Sequence, residues 1–220
     1  MRMSFRLPTR LAVITLLVLF SSVSEGKGGR KPKPPLDAKD YPMHETHPLE
    51  HVTIAAEPGD VKDARPDTRL NYFSHQMMPI RVIVTNDSDD SVLLDDARIH
   101  FVAGDNTSID AATDDDLERR MFTDKSATGT RLPLGLPIPI TVGKKNVNKD
   151  ILADDTDFGF KTTTVKPHTT EAGYLFYDVQ GLDSPPLAKA TLELRKVRFA
   201  KDNKALETFE ISLHPSDESK

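Results

Sequence analysis

The residues with the clearest chemical potential are the imidazoles and carboxylates of Met43-His44-Glu45-Thr46-His47, followed by Glu50 and His51. A zinc peptidase helix sets Glu beside its first His and a second His one turn on, so that both imidazoles meet one metal. Here only Thr46 separates Glu45 from His47, and Pro48 would break a helix, so that reading fails. His44, His47 and His51 remain a candidate set for copper, nickel or zinc, because imidazole suits all three. The competing reading is unstructured chain beside a linker.

Acids gather at Asp87/Asp89/Asp90, Asp95/Asp96, Asp114–Asp116 and Asp154/Asp155/Asp157. A hard cation needs several oxygens converging from one loop, and none of these runs has the spacing of an EF-hand. The first three have local explanations as turn or helix-start residues. Asp154, Asp155 and Asp157 form the candidate calcium group.

Other chemistry is scarce. No Gly-x-Ser-x-Gly elbow and no phosphate-cradling glycine loop occurs, and His75, His100, His168 and His214 are scattered. The absence of Cys removes thiol catalysis, thiolate metal sites and iron–sulfur clusters together. No catalytic residue and no cofactor is therefore expected. A hydrolase whose carboxylates meet only in the fold stands as the third functional reading, after a binding module and a metal- or calcium-dependent one.

The ends of the chain suggest where it works. Arg2, Arg6 and Arg10 precede an apolar run over residues 11–20, and Ser21, Ser22 and Ser24 follow it. That order matches a secretory signal peptide, with cleavage expected between Ser24 and Glu25. The run is too short for a spanning helix, which needs roughly 20 apolar residues, so no stable membrane span is expected after cleavage. Without residues 1–24 the chain has 26 basic and 34 acidic residues, a formal charge of −8. Such a surface repels phosphate backbones, and nucleic acid is not an expected partner. A secreted or periplasmic location follows, with an envelope or extracellular protein as the expected partner.

Four stretches are expected: the signal peptide (1–24), a Pro/Lys-rich linker and irregular segment (25–50), a β domain (51–214) and a polar tail (215–220). Residues 26–35, GKGGRKPKPP, have little to bury and favour polyproline II. Short strands then appear at 51–56, 79–85, 92–102, 173–179, 189–199 and 207–213, divided by turn residues. The run 86–91 (NDSDDS) is expected to join 79–85 to 92–102 as a hairpin. Alternation slips near Asp95-Asp96 and near Arg195-Lys196, where bulges or bends are expected. GYLFYDV (173–179) is apolar on both faces and reads as a central or loop-covered strand.

Two helices are expected between strands. Thr113 caps the first, with Asp116 three residues on and a pairing of Asp116 with Arg120. The second spans 144–152 with Val147 and Ile151 on one side. Between them, residues 131–140 (RLPLGLPIPI) contain three prolines and are expected to pack as an extended apolar cover. The surrounding 126–141 is the candidate binding surface.

The pattern gives a mainly β fold, an immunoglobulin-like antiparallel β-sandwich with a long insertion over about 103–160 carrying the two short helices. PIRVIVTNDSDDSVLLDDARIHF together with AGYLFYDVQGL resembles uncharacterised secreted bacterial proteins with immunoglobulin-like or telokin-like sandwiches. That resemblance covers roughly residues 50–213. It implies the fold and an envelope location, and it assigns no site residue.

Overall fold

A computed structural model describes residues 31–60, 65–123 and 147–214. The signal peptide, the first half of the linker, the 126–141 surface and the polar tail lie outside the described residues. In chain order the elements are β1 (His44–His47), β2 (Val52–Pro58), β3 (Met77–Asn86), β4 (Val92–Leu93), β5 (Arg98–Val102), β6 (Ser108–Asp110), α1 (Asp114–Thr123), α2 (Val147–Phe158), β7 (Thr164–Val165), β8 (Thr169–Asp178), β9 (Thr191–Arg195), β10 (Arg198–Phe199) and β11 (Phe209–Ser212). The described residues are mainly β, with three antiparallel sheets and two helices. One sheet has the order β1-β2-β3-β8, the second β11-β9-β5-β6, and a small third sheet β10-β4-β7.

Alternation builds the core. Ile54 and Ala56 on β2, Ile80, Val82 and Val84 on β3, and Leu175 and Tyr177 on β8 point to one side of the first sheet. They pack with Phe101, Leu192, Leu194, Phe209 and Ile211 of the second sheet in a single cluster. Tyr177 ties the two sheets together, its hydroxyl donating to the Ile99 carbonyl at 3.2 Å.

The other side of the first sheet is also covered. At one end Ala38 and Tyr41 lie over Ala55 and Ile83. At the other, α1 and α2 place Leu117, Met121 and Ile151 over Met77, Tyr174 and Phe176. Between these layers the Arg81 guanidinium lies 6.0 Å from the Tyr174 ring centroid and donates to Glu57 and to the Lys33 carbonyl.

Several expectations need correction. Residues 36–50 are not irregular: a 3-10 turn at Ala38–Asp40 and β1 precede the expected domain start at 51. β1 pairs with β2 from His44 opposite Ala55 to His47 opposite Val52. The hairpin between β3 and the next strand does not form. The Asn86 side chain turns inward and donates to the carbonyls of Asp90 (2.7 Å) and Val165 (3.1 Å). The loop is thereby held as a crossing from the first sheet to the small one, and β3 pairs with β2 and β8 instead.

The expected single strand over 92–102 is two, β4 and β5, in different sheets. The break falls at Asp95-Asp96, where the alternation slips, and Leu94 is buried inward as the shift requires. The second slip also marks a change of sheet, from β9 to β10, through Lys196 at φ +60°.

β8 is not central in its sheet but lies at its end. Its apolar character on both faces reflects the core on one side and the helices on the other. Its far edge accepts hydrogen bonds from the amides of Phe160 (to Tyr174, 3.0 Å) and Ala112 (to Phe176, 2.7 Å).

α1 begins as expected. The Asp116 carboxylate accepts from the Thr113 amide (3.0 Å) and hydroxyl (2.6 Å), and the Asp116 amide donates back to that hydroxyl. Asp116 pairs with Arg119 rather than Arg120, because Arg120 faces β8 and donates to Asp178 and Gln180. α2 runs on to Phe158, six residues beyond the expected end, because its acids find partners outside the helix.

The small sheet carries a pH-sensitive pair. Arg198 on β10 bridges Asp95 (2.7 Å) and Asp96 (2.6 Å), and its guanidinium holds the Asp96 carboxyl below the ordinary carboxylate range. A carboxyl depressed in the folded state adds stability that is complete above its unfolded pKa, about 3.9, and is lost as pH falls through and below that value. Asp96→Asn is therefore expected to lower the thermal midpoint at about pH 6, with the gap to the parent protein closing at about pH 2.5. A gap of the same size at both pH values would refute the assignment.

Candidate binding surface

Loops from both large sheets gather at one end. β3 starts there and β8 finishes there, with Met77 opposite Asp178. β5 ends there and β9 begins there, with Val102 opposite Thr191. The described parts of three connections therefore meet: residues 59–60 with 65–76, 103–107 and 179–190.

The 179–190 connection forms a ridge. Leu187 and Ala190 are buried and anchor it, while Asp183, Ser184, Pro185 and Ala188 are exposed. Gly181, at φ +84°, supplies the left-handed turn that starts it. A second turn closes it: the Ala188 amide donates to the Pro185 carbonyl (3.0 Å) and the Ala190 amide to the Leu187 carbonyl (3.1 Å).

A concave patch lies on each side of the ridge. One, about 260 Å³, is lined by Ala103, Gly104, Asp105, Asp183, Ala188 and Lys189. The other, about 230 Å³, is mostly apolar and is lined by Phe73, Met77, Met78, Val179, Leu182 and Pro186. Met77 also lines a third cleft, of about 350 Å³, together with the charged Asp110, Asp116, Arg119, Arg120 and Asp178.

Phe73 is 38% exposed, and the Arg65 guanidinium sits 4.5 Å from its ring centroid. Arg65 is held in turn by its Nε–H donating to the Gly59 carbonyl at 3.1 Å. The 59–76 connection that carries Phe73 is pinned from beneath by α2. The Asp154 carboxylate accepts from the Arg69 amide, the Arg69 guanidinium and the Leu70 amide at 2.9–3.2 Å, and from the Tyr72 hydroxyl at 3.3 Å. Burial together with the Asp154 charge pushes the Tyr72 phenol far above its ordinary range.

The calcium candidates are thus placed on a helix rather than in a loop, and they diverge. Asp154 and Asp157 both hold Arg69, the latter at 2.6 Å, whereas Asp155 pairs with Lys161 at 2.7 Å. The histidine candidates also separate. His44 and His47 lie three apart on β1 and so face opposite ways, and His51 sits in the following turn at φ +54°. His44 Nδ1 is 2.6 Å from the Tyr41 carbonyl oxygen. Among the described residues no three His, Asp or Glu side chains converge as a metal set.

His47 is instead part of a closure between the two large sheets. Its ring stacks on Phe209 of β11 at 3.8 Å, with Nδ1 3.0 Å from Glu50 and Nε2 3.3 Å from Glu45. The same two carboxylates accept from backbone amides on the free side of β11, Glu50 from Glu207 (3.3 Å) and Glu45 from Glu210. One edge of each large sheet is thus engaged, β8 by backbone and β11 by side chains.

Among the described residues no helix is long and apolar enough to cross a membrane. Compared with protein-family models, with curated proteins and with solved structures, the chain matches none.

Proposed function

We propose that the chain is exported, with residues 1–24 removed as a signal peptide, and that it serves outside the cytoplasm as an immunoglobulin-like β-sandwich that binds an envelope or extracellular protein. The observation that carries this reading is the loop end. A protruding ridge over residues 181–189 stands between two concave patches, while the strand edges on β8 and β11 already have partners. Loops on a rigid β scaffold are a common way of presenting a recognition surface. An apolar patch rimmed by polar groups, as here around Phe73, is a usual mark of one.

Crosslinking in intact cells followed by recovery from the envelope fraction tests the reading. One dominant protein is expected with the parent chain. Recovery should fall at least tenfold with Asp183→Lys combined with Ala188→Lys, two exposed ridge positions where substitution leaves stability within about 0.5 kcal/mol. No partner above background, or undiminished recovery with the ridge variant, would remove it.

A further inference from the structure

One edge of the second sheet is closed by a histidine held between two carboxylates. We propose that His47 is a pH-operated clasp between the two large sheets, closed when its ring carries two protons and opened when it loses one. The device is independent of what the loop end binds.

The local sequence builds it. Glu45 and His47 lie two apart on β1 and so share a face. The turn after β1 brings back Glu50, whose amide donates to the His47 carbonyl at 3.1 Å. The imidazole is thus set with Nδ1 3.0 Å from Glu50 Oε2 and Nε2 3.3 Å from Glu45 Oε1. The other oxygen of each carboxylate faces the second sheet. Glu50 Oε1 accepts from the Glu207 amide at 3.3 Å, and Glu45 Oε2 accepts from the Glu210 amide. Each glutamate therefore joins the ring to the outer edge of β11, while the ring itself stacks on Phe209 with an interplanar angle of 11°.

Donor count decides which form of the ring suits this arrangement. Ionised carboxylates only accept, and a neutral imidazole has one N–H and one lone pair. In the neutral form one glutamate would face that lone pair, and a side chain only 12% exposed leaves little room for water to intervene. The imidazolium donates to both carboxylates through charge-assisted bonds.

The surrounding charges act in the same direction. Glu45 and Glu50 face the ring, and Glu207 lies just before β11. Glu210 and its cross-strand neighbour Glu193 alternate with Phe209 and Leu194, so they project from the other face of the second sheet, where Arg195 pairs with Glu193. His44 is turned to the Tyr41 carbonyl, and His51 is exposed in the turn. Among the described residues no lysine or arginine forms an ion pair with Glu45 or Glu50.

The closed clasp holds one proton more than the open one. By linkage, acid closes it and rising pH opens it, over the range between about pH 5 and 8 where histidines change charge. Opening strips the Glu207 and Glu210 amides of their acceptors and frees the edge of β11.

Amide hydrogen exchange on the full chain tests this at about pH 5.5 and about pH 8, each rate being corrected for its intrinsic pH dependence. Protection of the Glu207 and Glu210 amides is expected to fall about tenfold at the higher pH, the worth of one bond to a charged group. The Ala112 amide, bonded to Phe176 on the β8 edge, should be unaffected. His47→Gln should leave the two glutamate amides equally protected at both pH values, because glutamine takes no proton in this range. The comparison within the parent protein decides even if that variant does not fold. Equal protection at both pH values in the parent protein would overturn the proposal. So would a loss shared by Ala112, which belongs to the whole fold, or a pH dependence that survives in His47→Gln.

Discussion

Asp154→Ala is expected to destabilise the protein by about 3–5 kcal/mol, the range for removing one member of a buried, hydrogen-bonded charge pair. The carboxylate is fully buried and serves four donor groups from Arg69, Leu70 and Tyr72. Alanine would strand two amides, a phenol and part of a guanidinium, and unsatisfied buried donors cost more than a lost bond. The 59–76 connection would lose its tie to α2, and Phe73 with it. Asp154→Asn keeps the shape and an acceptor oxygen but lacks the charge, so it should fall between alanine and the parent protein. Thermal or urea unfolding checks the ranking. If alanine cost less than about 1 kcal/mol, the range of an ordinary hydrogen bond, the anchor would be dispensable.

Tyr177→Ala carries the second large effect, about 3–5 kcal/mol, as for other buried aromatic truncations. The ring is buried between the two sheets, 5.9 Å from the Phe101 centroid. Its loss leaves a cavity where β8 and β5 meet, and close packing allows only partial collapse around it. Tyr177→Phe removes only the bond to the Ile99 carbonyl, for about 1 kcal/mol. A phenylalanine variant as damaged as the alanine one would show that the hydroxyl, not the ring, holds the sheets together.

Those two residues also show how differently the sequence exposed its own structure. Tyr177 sits in GYLFYDV, whose apolar run announces a buried strand whatever the partners are. The alternation on β3 and β11, the slips at Asp95-Asp96 and Arg195-Lys196, and the cap at Thr113 are likewise local signals, and the structure follows them. Asp154 gives only half a signal. Its spacing from Val147 and Ile151 puts it, unlike Asp155, on the buried face of α2, but its partner Arg69 lies 85 positions away.

Connections were hidden for the same reason. Asn86 reads as a turn residue in isolation, and only the Val165 carbonyl, 79 positions on, makes it a buried bracket. β1 is short, polar and histidine-rich, so its strand character comes from pairing with β2 and not from its own pattern. The ridge had a visible cue, Gly181 and Pro185-Pro186 between two strong strands, but its concavities arise from three connections that only the fold assembles.

The closure at β11 has a consequence for how the protein behaves in company. An unpaired strand offers a row of amides and carbonyls on which another chain can polymerise. Glu207 and Glu210 already give their amides to Glu50 and Glu45, so a visiting strand would have to displace anionic acceptors that His47 holds in place. An edge occupied in this way gives a visiting strand less to pair with than a bare one. His47, weighed with His44 and His51 as a metal ligand, instead helps to hold that edge.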